Sequence, residues 1–164
     1  MALQGYEQIA EFGKKLGHFD DVEKALTAIS IEAKSLLHAE RCSIFLVDHR
    51  ANILWTKLSN DISRIAIGLH SGIVGLTYET EEAQVVNDPY HHPHFLDTID
   101  KQSGFTTKNL ITMPIFASDQ NVIGVIQLLN KIDNDEGFDT QDKHTLTFLA
   151  NYVSGTLELA LKLK

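Results

Sequence analysis

The sequence predicts an α+β fold: one antiparallel sheet of about six strands, helices from both chain ends on one face, and an irregular cover on the other. Three observations predict it. Apolar residues recur at helical spacing only near the two ends. Between them the pattern shifts to short β-branched and aromatic runs separated by polar turns. One long polar stretch, Asn87 to Lys108, separates two groups of strands, and a connection of that length is usually functional.

In chain order, Leu3, Tyr6, Ala10, Gly13 and Leu16 share a helical face. A second helix follows, with Asp20 as its N-cap, Glu23 completing a capping box, and Val22, Leu26, Ile29, Ala33 and Leu36 as its apolar stripe. Cys42 to Val47, Ile53 to Leu58 and Ser63 to Ile67 read as a meander of neighbouring strands, the first two joined by the polar turn Asp48 to Asn52. Ser71 and Gly72 break the pattern before a short helix to Tyr78, and Gln84 to Val86 is a short strand. The polar stretch contains one helical turn near His94 to Ile99. Asn109 to Phe116 and Val122 to Lys131 are strong strands joined by a hairpin loop at Ser118 to Asn121.

The last helix begins near Asp139 or Thr140 and carries two apolar stripes. One is Leu146, Leu149, Val153, Leu157 and Ala160; the other is Phe148, Tyr152 and Leu159. Two stripes need two partners, either the sheet and the first helices, or the sheet and a second subunit. The reading is one domain over 1–164, with a core over about 20–152 and terminal helices over 2–17 and 140–164. A sheet floor under a helix-and-loop roof is the usual form of a small-molecule site.

Composition excludes several classes. With 164 residues the chain can bury a core without disulfides or metals. Its 22 acidic residues exceed 14 basic ones, for a net charge of −8, which disfavours a nucleic-acid surface. A single cysteine, Cys42, excludes an internal disulfide or a cysteine-only zinc cluster and fits a reducing compartment. Apolar runs fall far short of the roughly 20 residues that span a bilayer. Met1 to Gly5 shows no basic region followed by an apolar one, so the expectation is a cytoplasmic protein without membrane contact.

Several stretches together resemble a GAF domain of the cyclic-nucleotide-binding type, as found in phosphodiesterases and some adenylyl cyclases. They are Arg41 to Asp48, Gly72 to Gly75, Asp88 through His92 and Pro93 to Phe95, Ser103 to Leu110, and Val122 to Val125 leading to Asn130 and Lys131. The subfamily motif is Asn-Lys, a gap, Phe, three residues, then Asp-Glu. Asn130, Lys131, Phe138 and Asp142 match it, while Lys143 replaces the Glu. The resemblance implies that Lys131 and Asp142 form an ion pair tying the last strand to the last helix.

The resemblance also implies a ligand site. A cyclic nucleotide presents a singly charged phosphate, a ribose and a flat base. The amides of Ile73 and Val74, after Gly72, open a helix and offer an anion site. Ser43 faces the base, and Asp100, Ser103 and Thr107 supply polar groups from the cover. Leu96 stands where relatives carry an aromatic residue. Gln127 stands where guanine-selecting relatives carry Glu. An amide offers both a donor and an acceptor, which suits adenine and tilts the expectation from cGMP to cAMP.

His91, His92 and His94 are not read as metal ligands, because no Cys lies near and the His and Asp order of metal-dependent phosphodiesterases is missing. Cys42 reads as a small buried residue. No catalytic set is visible, and no cofactor is expected. The functional expectation is a regulatory sensor that relays occupancy through its terminal helices, in a homodimer, to an output domain such as a nucleotide or diguanylate cyclase, phosphodiesterase or kinase. The alternative is a GAF-fold dimerisation module with no ligand, or with a different one.

Overall fold

The computed structural model describes residues 3–16, 21–57 and 64–162. Its elements are α1 (Leu3–Leu16), α2 (Val22–Leu37), β1 (Ala39–Asp48), β2 (Ile53–Lys57), β3 (Arg64–Gly68), α3 (Gly72–Thr80), β4 (Gln84–Val86), a 3₁₀ turn (Pro89–His91), α4 (Thr98–Ser103), β5 (Leu110–Phe116), β6 (Val122–Lys131) and α5 (Thr140–Lys162). The strands form one six-stranded sheet in the order β3-β2-β1-β6-β5-β4. Every neighbouring pair is antiparallel, as expected for the α+β architecture.

Strand alternation sorts the sheet into two faces. Ile44 and Leu46 of β1, Ile111, Met113 and Ile115 of β5, and Ile126 and Leu128 of β6 join the main core with α1, α2 and α5. The intervening residues Phe45 and Val125 pack on the opposite face with Val74 of α3. Ile73, Val86 and Leu110 make a third cluster there, with Phe95 and Leu129 against it. Helices therefore cover one face, while α3, the 3₁₀ turn and α4 cover the other.

Local chemistry fixes the helix ends, and some differ from the sequence reading. The N-cap of α2 is Asp21, whose carboxylate accepts the Glu23 amide at 2.8 Å. Asp20 lies outside the described residues. Glu23 is then the second helical residue, one short of the capping-box position. The α5 start does carry a reciprocal box: the Asp142 amide donates to Asp139 Oδ1 at 2.8 Å, and the Asp139 amide donates to Asp142 Oδ2 at 3.0 Å. In α1 the buried residues are Ile9, Phe12 and Leu16, while Tyr6 is 42% exposed and Ala10 is exposed. The helix turns its larger side chains inward because they remove more apolar area from water.

The turn expected near His94 to Ile99 is two separate pieces instead. Pro89 presets φ for the 3₁₀ turn, and Pro93 keeps the following residues irregular until α4 begins at Thr98. β3 spans Arg64–Gly68, and Ser63 and Leu58 lie outside the described residues. On α5 the first stripe is buried, whereas Phe148, Tyr152 and Leu159 are 40%, 44% and 59% exposed. Tyr6 of α1 meets Phe148 edge-on at 4.9 Å between ring centroids.

Leu128 is fully buried where β6 meets the helices. Leu128→Ala is expected to lower stability by about 2–5 kcal/mol, measured as a reduced urea midpoint at unchanged m-value.

Candidate functional site: a covered cavity and its anchor

On the face away from the helices, a partly open cavity of ≈ 90 Å³ lies between the sheet and its cover. Phe45, Ile67, Gln127 and Leu129 form its floor and side, Gly72, Ile73 and Val74 bring the start of α3, and Phe95, Leu96, Asp100 and Thr107 cover it. Six of the eight residues expected at a ligand site therefore meet here: Ile73, Val74, Leu96, Asp100, Thr107 and Gln127. Ser43 pairs in register with Gln127 and shares its face of the sheet, but lies beyond the cavity wall. Ser103 is exposed and outside it, with its hydroxyl accepting the Phe105 amide at 3.3 Å. Its position at the C-terminal end of α4 turns it away from the sheet.

The α3 start is built by Gly72. Its φ of 70° is left-handed, and a Cβ there would stand 3.2 Å from Leu96, so both backbone and space require glycine. Ser71 at the N-cap makes no side-chain capping bond, so the first-turn amides have no acceptor from their own cap. Both Ile73 and Val74 line the cavity.

Asp100 and Thr107 are engaged with one another. The Thr107 amide donates to Asp100 Oδ2 at 2.9 Å and its hydroxyl to Asp100 Oδ1 at 3.0 Å. The Tyr90 phenol also donates to Asp100 Oδ2. The carboxylate expected to reach for a ligand thus first holds the cover together, which residue spacing alone does not reveal. In contrast, no hydrogen bond from a described residue engages the Gln127 amide, which faces the cavity.

Below the cavity, β6 ends on Asn130 and Lys131. Asn130 takes a left-handed φ of 62°, which Asn tolerates better than most residues. Its side chain makes four bonds. Oδ1 accepts the amides of Lys108 at 2.6 Å and Asn109 at 3.4 Å, and Nδ2 donates to Thr106 O at 2.9 Å and Glu40 Oε2 at 3.2 Å. Asn109 returns the favour, its Oδ1 accepting the Lys131 amide at 2.8 Å. The C-terminal leg of the cover is thereby fixed to the sheet.

Lys131 Nζ donates to Asp142 Oδ1 at 2.7 Å and to the Leu37 carbonyl at 2.8 Å. The side chains are only 14% and 11% exposed. One ammonium therefore meets the carbonyl end of α2 and a carboxylate in the first turn of α5, both sites where its charge is favoured. Phe138 is buried beside it, with its ring centroid 5.9 Å from Nζ. Lys143 is exposed and takes no part in this pair.

A family model described as the GAF domain matches residues 21–157, which takes in every strand and the cavity. The chain is a GAF domain. A 145-residue stretch is 32% identical to the dual 3′,5′-cyclic-AMP and -GMP phosphodiesterase 11A of Takifugu rubripes, covering 77% of this chain and 16% of that protein. Among solved structures, the GAF domain of a phosphoenolpyruvate-protein phosphotransferase from Coxiella burnetii superposes with a TM-score of 0.83 at 16% identity, covering 96% of this chain and 95% of that one. A free methionine-R-sulfoxide reductase from Neisseria meningitidis gives 0.78 at 20% identity, covering 98% and 92%. These two likenesses are of fold.

Other expected features take ordinary roles in this GAF domain. His91 Nδ1 lies 2.7 Å from Asp88, and His92 Nδ1 accepts the His94 amide at 3.1 Å. Cys42 packs against the helical core, and burial pushes its thiol up to about 12. Among the described residues no helix is long and apolar enough to cross a membrane. Strand alternation from Gln127 points to Leu129, which lines the cavity, whereas sequence reading missed Phe45, although alternation from Ser43 would have found it. It also missed Tyr90 and Asn109, whose roles depend on long-range partners.

Breaking the buried pair leaves Asp142 without its cation. Lys131→Met is expected to cost about 3–5 kcal/mol in chemical unfolding, whereas Lys143→Glu should stay within about 0.5 kcal/mol.

Proposed function

We propose that this GAF domain is a regulatory sensor for a cyclic mononucleotide, with cAMP favoured over cGMP. The observation that carries the reading is the cavity itself. It brings a glycine-started helix, the cover residues Leu96, Asp100 and Thr107, and a Gln127 side-chain amide that no described residue engages to one place. The α3 amides suit a small anion without requiring a basic side chain. Gln127 suits an adenine edge, because it can donate to a ring acceptor and accept from an amino group together. Similarity to a relative named as a dual cAMP and cGMP phosphodiesterase supports the ligand class and leaves the choice between the two to Gln127.

Occupancy then passes to the terminal helices. Contacts with ligand order the cover, Asn130 joins the cover to β6, and Lys131 joins β6 to α2 and α5. The half-exposed stripe on α5 supports pairing with a second copy and transfer to an output domain. A regulatory role fits the residues better than catalysis. This chain has one cysteine, partly buried with its thiol raised by desolvation.

One observation favours the ligand-free dimerisation module. The cavity, ≈ 90 Å³, is far below the roughly 300 Å³ at which small-molecule sites begin. Binding therefore requires the cover to move.

Titration calorimetry of the purified chain should give a heat of binding with both nucleotides and a lower Kd for cAMP. Gln127→Glu should shift the cGMP-to-cAMP affinity ratio toward cGMP by about tenfold, the scale of one exchanged hydrogen bond to a charged group. Silence with both ligands would leave the dimerisation module.

A further inference from the structure

The cover is two pieces joined at one point. Its first piece runs from Asn87 through the 3₁₀ turn to Leu96. The second is α4 and the leg that follows. Asp100 folds the second piece on itself, since both bonds from Thr107 return to its carboxylate. The leg is held to the sheet by Asn130, and Arg41 of β1 stacks on the Phe105 ring at 3.7 Å. Gly104 between them has a φ of 74° and open space around it. Among the described residues, only the Tyr90 phenol reaches from the first piece to Asp100.

From this arrangement we infer that Tyr90 is a latch. Its bond to Asp100 holds the two pieces of the cover shut above the cavity, and its release is the opening step that ligand admission requires. Asp100 is 8% exposed and Thr107 2%, whereas Tyr90 is 47% exposed. The acceptor is thus a fixed internal group and the pin a surface side chain, which can leave without opening the core. The Tyr90 hydroxyl and the Thr107 amide share Asp100 Oδ2, so loss of the Tyr90 bond removes a brace on that carboxylate and lets the Asp100–Thr107 bonds open more often. The carboxylate beside it holds the Tyr90 phenol above its ordinary range, which keeps the donor proton in place. The ring packs edge-on against Phe95, 5.1 Å between centroids, so removing the hydroxyl leaves that contact intact.

The link to ligand admission rests on the proposed cyclic-nucleotide reading; the latch itself does not. Tyr90→Phe tests both with separate readouts. Native-state hydrogen exchange should show the Thr107 amide exchanging about tenfold faster in the variant, the scale of one lost hydrogen bond to a charged group. The Leu128 amide in the sheet should be unchanged. Stopped-flow mixing with a fluorescent cAMP analogue should show association about tenfold faster, because a larger fraction is open. Unchanged Thr107 exchange overturns the latch, and so does equal acceleration at Leu128, which would mark a general loss of stability. Faster Thr107 exchange in a chain that binds neither cAMP nor cGMP supports the latch and removes the ligand reading. Binding with unaltered exchange does the reverse.

Discussion

A single ammonium group sits where three parts of this domain converge. Lys131 terminates the central strand β6, caps the carbonyl end of α2 and neutralises a carboxylate at the start of α5. Without it the Leu37 carbonyl would lose a hydrogen-bond donor and the buried Asp142 carboxylate its cation, so this one side chain ties both helices to the sheet. Its neighbour Asn130 does the equivalent work on the opposite side, holding the base of the cover with four hydrogen bonds. The left-handed turn at Asn130 allows two adjacent side chains to serve different layers. Without it, alternation alone would aim them but not bend the strand end toward both.

The same strand explains why the cavity and the helices are mechanically close. Ile126 and Leu128 belong to the helical core, and Gln127 and Leu129 face the cavity. No intermediary element is needed between them. The strand that floors the cavity also ends on Lys131, which touches both α2 and α5. The relay proposed above would therefore run through one stretch of backbone about five residues long.

Much of the architecture was legible because it is periodic. β4 and β6 match the sequence reading end to end, and α5 buries the stripe that helical spacing picks out. Lys131 and Asp142 were expected as a pair only through the resemblance, and the structure sets them 2.7 Å apart. The rest depended on contacts that spacing does not encode. Ala10 and Gly13 fit a helical face as well as Ile9 and Phe12 do, and only docking of α1 decides which pair turns inward. Asp21 and Asp20 are equivalent caps in sequence, and the helix start selects one. Asp100 reads as a free polar group, yet its bonds to Thr107 and Tyr90 close a loop that residue types alone cannot announce. Ser103 is only a few residues from Asp100 and Thr107, but the end of α4 carries it to the outside.

The sulfur chemistry of the chain has a practical side. Its one cysteine is half-buried against the helical core, where desolvation raises its thiol and slows alkylation. A cysteine placed at Leu96 on the cover or Leu159 on α5, both about half exposed, would take a spin label or fluorophore ahead of it. Distances across the molecule could then be followed.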